Sequence, residues 1–168
     1  MIQPPSTGES AGPTMLDRAF QLAYTCAYQL MRAYWRLRRP TTHGSLVTMW
    51  HRGELLLVRN SYVSYYSVPG GYLRAGETGV DAAVRELREE VGVEARPDQL
   101  RLLLEETHLW EGKNDHVLIF ALEVTERPPL RVDHREVTEA TWQSPERALR
   151  QNLFPPLRRA IEQRLSRG

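Results

Sequence analysis

GYLRAGETGVDAAVRELREEVGV, residues Gly71 to Val93, is the stretch from which the rest of this 168-residue chain can be read. Seven residues recur at set spacing: Gly71, Glu77, Arg85, Glu86, Glu89, Glu90 and Gly92, with aliphatic Leu87 and Val93 among them. Ala82 to Val91 is rich in good helix formers and holds neither Gly nor Pro, which predicts a helix. Gly92 follows where a helix end commonly takes a left-handed residue. At about 3.6 residues per turn, Glu86, Glu89 and Glu90 share one face. Val80, Ala83, Val84, Leu87 and Val91 form a neighbouring apolar stripe. The helix is thus expected to bury one side and present carboxylates on another.

Carboxylates crowded within one helical turn repel each other, which weakens the helix and raises some of their pKa values. A hard cation with oxygen ligands reverses that. Mg²⁺ prefers a few carboxylates completed by waters and substrate phosphates, so a diphosphate with its cation is the fitting ligand. A solvated acidic face would account for an isolated E-x-x-E-E. It does not account for Gly71, Glu77, Arg85 and Gly92 at fixed distance around it.

The stretch resembles the Nudix box, the signature of the Nudix hydrolases, and matches it at every position. The resemblance implies an α/β fold, an α/β/α sandwich around a mixed β-sheet, covering roughly residues 42–165. It implies hydrolysis of the diphosphate linkage of a nucleoside diphosphate derivative by water attack on phosphorus. It also implies a divalent cation, Mg²⁺ with Mn²⁺ as a substitute. By position, Glu86, Glu89 and Glu90 are the metal and catalytic acids, the Gly71 carbonyl is a further metal ligand, and Arg85 orients the carboxylates. Glu77 corresponds to a structural or outer-ligand acid. The general base varies in position within the family, from a box glutamate to an acid in a later loop. Asp133, Glu136 and Glu139 are the later acids here, with Glu136 the catalytic candidate; neighbouring His134 reads as exposed.

Around the box, residues 43–50 and 54–59 read as strands joined at Arg52-Gly53. A tyrosine-rich loop, residues 60–66, leads to Pro69-Gly70-Gly71, where glycines let the backbone approach cation and phosphate closely. Arg59, Tyr62, Tyr65 and Tyr66 are the candidate substrate-binding residues, although tyrosines in such loops serve equally as packing. Residues 100–109 and 116–124 read as strands, the second apolar on both faces and so interior, with a turn over residues 110–115. A late strand at residues 139–142 follows, then a short helix capped by Ser144-Pro145, and a basic helix over residues 155–167.

Three segments are expected: a flexible tail (1–14), an amphipathic helix (15–39) and the hydrolase domain (40–168). In the helix, Leu16, Phe20, Ala23, Tyr24, Ala27, Leu30, Met31, Tyr34 and Trp35 share an apolar face, opposite Arg18, Gln21, Thr25, Gln29, Arg32, Arg36 and Arg39. Its uncharged run, residues 19–31, falls short of the roughly 20 residues a bilayer span needs. The apolar face is read as packing on the domain or on a second copy in a homodimer, as peripheral contact with an anionic membrane, or as a membrane anchor. The resemblance does not account for this segment.

A net charge of +1 gives no electrostatic case for nucleic acid, and the single cysteine, Cys26, fits a reducing cytoplasm. Two other functions stay open: a non-catalytic nucleotide- or partner-binding module of the same fold, and a membrane-surface hydrolase of a lipid-linked diphosphate. Positions outside the box, His108 foremost, lack the marks of the ADP-ribose, dinucleoside polyphosphate and coenzyme A subgroups. They select no substrate in their place.

Overall fold

Leu46 to Trp50 and Leu55 to Val58 alternate between two buried faces, and this alternation builds the middle of a sheet with a core on each side. The computed structural model describes residues 14–132 and 134–166. Strands β1 (Thr41–His51), β2 (Glu54–Asn60), β3 (Gly70–Tyr72), β4 (Leu100–Trp110), β5 (Lys113–Glu123) and β6 (Val137–Gln143) form one mixed sheet. Its order is β4-β5-β1-β2-β6, with β3 also paired to β1. β1 and β5 run parallel, and the other pairs are antiparallel. The parallel pair keeps β5 interior, as its two apolar faces predict.

Helix α1 (Met15–Arg38) precedes the sheet, and α2 (Gly79–Val91) carries the box glutamates. α2 packs Ala83, Leu87 and Val91 against Val47, Met49, Leu56 and Val58. On the opposite face, α3 (Pro145–Ala148) and α4 (Pro155–Leu165) bring Ala148, Leu157, Ala160 and Ile161 onto Leu46, Trp50, Leu55 and Leu57. This is the expected α/β/α sandwich.

Local signals set most boundaries. Arg52-Gly53 joins β1 to β2 with both residues at positive φ. Ser144 caps α3 by accepting the Arg147 N–H, with Pro145 at the first helical position. The turn expected over residues 110–115 shrinks to Glu111-Gly112, both at positive φ, as a tight two-residue hairpin requires. Lys113 to Asp115 therefore belong to β5. The short strand β3 was not expected. It exists because Gly70 and Gly71 lie flat against β1, where a Cβ on Gly70 would meet Ser45 O at 2.5 Å.

α1 departs most from expectation. It begins at Met15, capped by Thr14 and Asp17 in a reciprocal capping box, and stops at left-handed Arg39 before Pro40. The helix docks by a mixed side, in which Tyr24, Ala27, Met31 and Trp35 of the expected apolar face lie toward the domain beside polar residues. Asp17, Gln21, Thr25, Tyr28 and Arg32 face the domain, and Trp35 is the only buried residue of α1. Asp17 pairs with Arg135 at 3.1 Å, Gln21 Nε2 donates to the His134 carbonyl at 2.7 Å, and Tyr28 and Arg32 both engage Glu111 at 2.5 and 3.1 Å. The domain offers carboxylates and carbonyls to this helix, so polar side chains turn inward. Among the described residues, no helix is long and apolar enough to cross a membrane. The predicted tail, apart from Thr14, lies outside the described residues.

Candidate active site

Arg85 organises the acids of α2. Its Nε and one terminal nitrogen donate to the two Glu77 oxygens at 2.8 and 2.9 Å, a bidentate fork. The other terminal nitrogen donates to Glu86 and, at 3.2 Å, to Glu89, and the fork also reaches the Tyr72 carbonyl at 3.1 Å. Hydrogen bonds from Arg85 and the Arg74 N–H hold the Glu77 carboxyl down to about 2. Both Glu77 oxygens are thereby committed to Arg85.

The three box glutamates occupy different environments. Glu89 is the most exposed and pairs with Arg74 and Arg85. Glu86 is half-buried; burial pushes its carboxyl up while Arg85 pulls it down. Glu90 is 8% exposed and accepts the Gly70 N–H at 3.1 Å. Burial, with Glu86 and Glu136 beside it, raises the Glu90 carboxyl well above its ordinary range. The fold thus brings Glu136, 46 residues beyond Glu90, to the acid cluster. Tyr62 OH donates to Glu136 at 2.9 Å, and Asn60 donates to Tyr62 at 3.2 Å. Burial and the neighbouring Glu136 raise the Tyr62 phenol, so it remains a neutral donor.

The other late acids stand apart. Glu139 pairs across the sheet with Arg59 and accepts from Tyr66 at 3.1 Å, and Asp133 lies outside the described residues. Gly71 packs directly on Glu86, leaving no room for a Cβ.

These residues fit a hard divalent cation. The donor set is all oxygen, and burial with neighbouring carboxylates raises both Glu86 and Glu90, a repulsion that a cation relieves. Among the described residues, no three metal-binding side chains converge on one point, because Glu86 and Glu89 are turned to arginines. Carboxylates on one helix turn re-aim by rotation about χ alone.

A cavity of about 360 Å³ adjoins this cluster at Gly70, Gly71 and Glu136. Its lining is mainly apolar and rich in aromatic rings. Tyr65 lies parallel to Phe154 and edge-on to Trp110, each at 5.9 Å, and Tyr28 meets Tyr62 at 5.0 Å. One side belongs to α1 through Tyr24, Ala27, Tyr28, Met31 and Trp35. Lys113, the only lysine of the chain, is buried there. Its ammonium pairs with Asp115 at 2.6 Å and sits 5.0 Å from the Trp35 ring and 5.3 Å from that of Tyr72.

Of the four expected substrate-binding residues, Tyr62 and Tyr65 line the cavity, and Arg59 and Tyr66 do not. Tyr66 bridges to Leu153 with its hydroxyl on Glu139, because successive side chains of extended chain point to opposite sides. Arg59 lies over Tyr66 and lines a separate polar depression with Gln21, Ser61 and Glu139. Sequence reasoning missed Trp35, Tyr28, Asn60 and the Lys113–Asp115 pair. Lys113 alone carried a signal, as one lysine against 21 arginines.

Comparison with known proteins agrees with this geometry. The NUDIX domain family model matches residues 41–164. The phosphatase NudJ of Escherichia coli K12 is 31% identical over 122 residues, spanning 68% of this chain and 77% of that protein. Among solved structures, the MutT protein of Methanosarcina mazei Go1 superposes with a TM-score of 0.65 at 21% identity, over 77% of this chain and 96% of that one. The Ap4A hydrolase of C. elegans gives 0.64 at 19%, over 74% and 96%. α1 precedes the region that the family model matches. With the box intact, its acids gathered by Arg85 and its fold shared, the chain belongs to the Nudix family and is a Nudix pyrophosphohydrolase.

Proposed function

We propose that the protein hydrolyses the diphosphate linkage of a nucleoside diphosphate derivative, in a reaction that requires Mg²⁺ or, in its place, Mn²⁺. The observation that carries this reading is the juxtaposition of the Glu86–Glu90–Glu136 cluster with an aromatic cavity. At about 360 Å³ the cavity falls within the roughly 300–1,000 Å³ range of small-molecule sites.

Glu86, Glu89 and Glu90 would hold the cation, with the Gly71 carbonyl as a further ligand. When bound, it neutralises the phosphate oxygens and acidifies water. Arg85 sets the Glu86 and Glu89 carboxylates in position. Glu136, oriented by Tyr62, accepts the proton of the attacking water. Tyr62, Tyr65 and Trp35 enclose a nucleobase and keep bulk water from the cleft. Binding alone gives no reason to keep buried, mutually repelling acids, which favours catalysis over a non-catalytic module.

The test is hydrolysis of a panel of nucleoside triphosphates, nucleotide sugars, ADP-ribose, dinucleoside polyphosphates and polyprenyl diphosphates. Each is assayed with Mg²⁺, Mn²⁺ or chelator, beside Glu90→Gln. A cation-dependent product lost in Glu90→Gln supports the reading. Turnover that survives chelation or the substitution refutes it.

A further inference from the structure

The outer side of α1 departs from ordinary surface chemistry. Met15, Leu16, Leu22, Leu30, Tyr34 and Leu37 are between 51% and 84% exposed and lie away from the docked side. A helix of 24 residues is about 36 Å long, so this is a continuous apolar strip, larger than scattered exposed side chains produce.

Its charges indicate what covers it. Arg18, Arg36 and Arg38 are exposed at the margins of the strip, with Arg39 just beyond the helix. The one acid of α1, Asp17, is turned inward to Arg135. A second copy laid on the same face would bring arginines against arginines with no carboxylate between them. Anionic phosphates flanking an apolar layer complement both the strip and its margins.

We propose that the outer face of α1 binds the surface of an anionic membrane, lying in the interface without crossing it. The inner side stays latched to Glu111, His134 and Arg135, so the whole domain is carried to the bilayer. The inference does not depend on the hydrolase reading, and either can fail alone.

Cys26 is the only cysteine, is exposed, and belongs to α1, so a polarity-sensitive fluorophore there reports the environment of the helix. Full-length protein is mixed with vesicles of phosphatidylcholine alone or with phosphatidylglycerol, at low and high salt, and read by flotation and probe emission. The expected result is flotation and a blue shift with phosphatidylglycerol, weakened by salt. The Leu30→Glu/Leu37→Glu variant, with an unchanged thermal melt, is expected to bind at least about tenfold more weakly. No flotation, equal binding by the variant, or equal binding to neutral vesicles would overturn the proposal. So would a dimer in light scattering that the variant disperses while vesicles bind neither protein.

Discussion

Replacing Arg85 by alanine removes the one group that ties four elements of the site together. Its guanidinium makes hydrogen bonds to Glu77, Glu86, Glu89 and the Tyr72 carbonyl, and Arg85 itself is 9% exposed. Breaking a buried pair from one side strands its partners, here Glu86 and the Tyr72 carbonyl, at a cost of about 3–5 kcal/mol. For a domain of this size each kcal/mol lowers Tm by roughly 2–4 °C, so the drop is about 6–20 °C. Urea denaturation in chelator measures it without interference from bound cation.

The same change alters the pH dependence. Glu77, held near 2 in the folded protein, contributes stability that is present above its unfolded value of 4.5 and lost as pH falls toward 2. Arg85→Ala flattens that slope, whereas Arg85→Lys, which keeps charge without the fork, restores part of it. A loss below about 1 kcal/mol, or an unchanged acid slope, would show that Arg85 does not organise the site.

Glu90→Gln is expected to lower kcat by about a hundredfold or more while melting at the same or a higher temperature, since it removes a buried carboxyl whose ionised form burial and neighbouring acids disfavour. Full activity in a folded variant would refute the assignment. Mn²⁺ binding should tighten as pH rises, because Glu90 and Glu86 have raised folded pKa values and must lose protons to become ligands. Calorimetry in two buffers of different ionisation enthalpy detects the released protons, and a pH-independent Kd with no proton release would contradict the cluster. Trp35→Ala opens the α1 side of the cavity and should raise KM about tenfold with a smaller change in kcat. Unchanged KM would remove α1 from the substrate site.

Much of this protein is legible locally. The box helix, its Thr78 and Gly92 ends and the Arg52-Gly53 turn depend on residues within a few positions of one another. Helical periodicity, capping and left-handed glycine are short-range physics, so spacing alone specified α2 and the acids upon it. Arg85 and Glu77 were legible for the same reason, eight residues apart at two ends of one motif.

Other features required distant partners. Which polar residues of α1 turn inward is decided by Glu111, His134 and Arg135, about a hundred residues away, while only part of the expected apolar face, Tyr24, Ala27, Met31 and Trp35, docks beside them. A helix buries whichever side its neighbour complements, and this neighbour is polar at Glu111 and Arg135 and aromatic at Tyr62 and Tyr72. Glu136 reaches Glu90 only through sheet pairing, and Tyr65 rather than Tyr66 enters the cavity because of the alternation of an extended segment. The sequence by itself determined the acids of the site, since Glu86, Glu89 and Glu90 fall within about one turn of a single helix. The tertiary structure decided what encloses it, since the cavity assembles from α1, the tyrosine loop, the β4–β5 hairpin and the residues before α4. No spacing rule connects those segments.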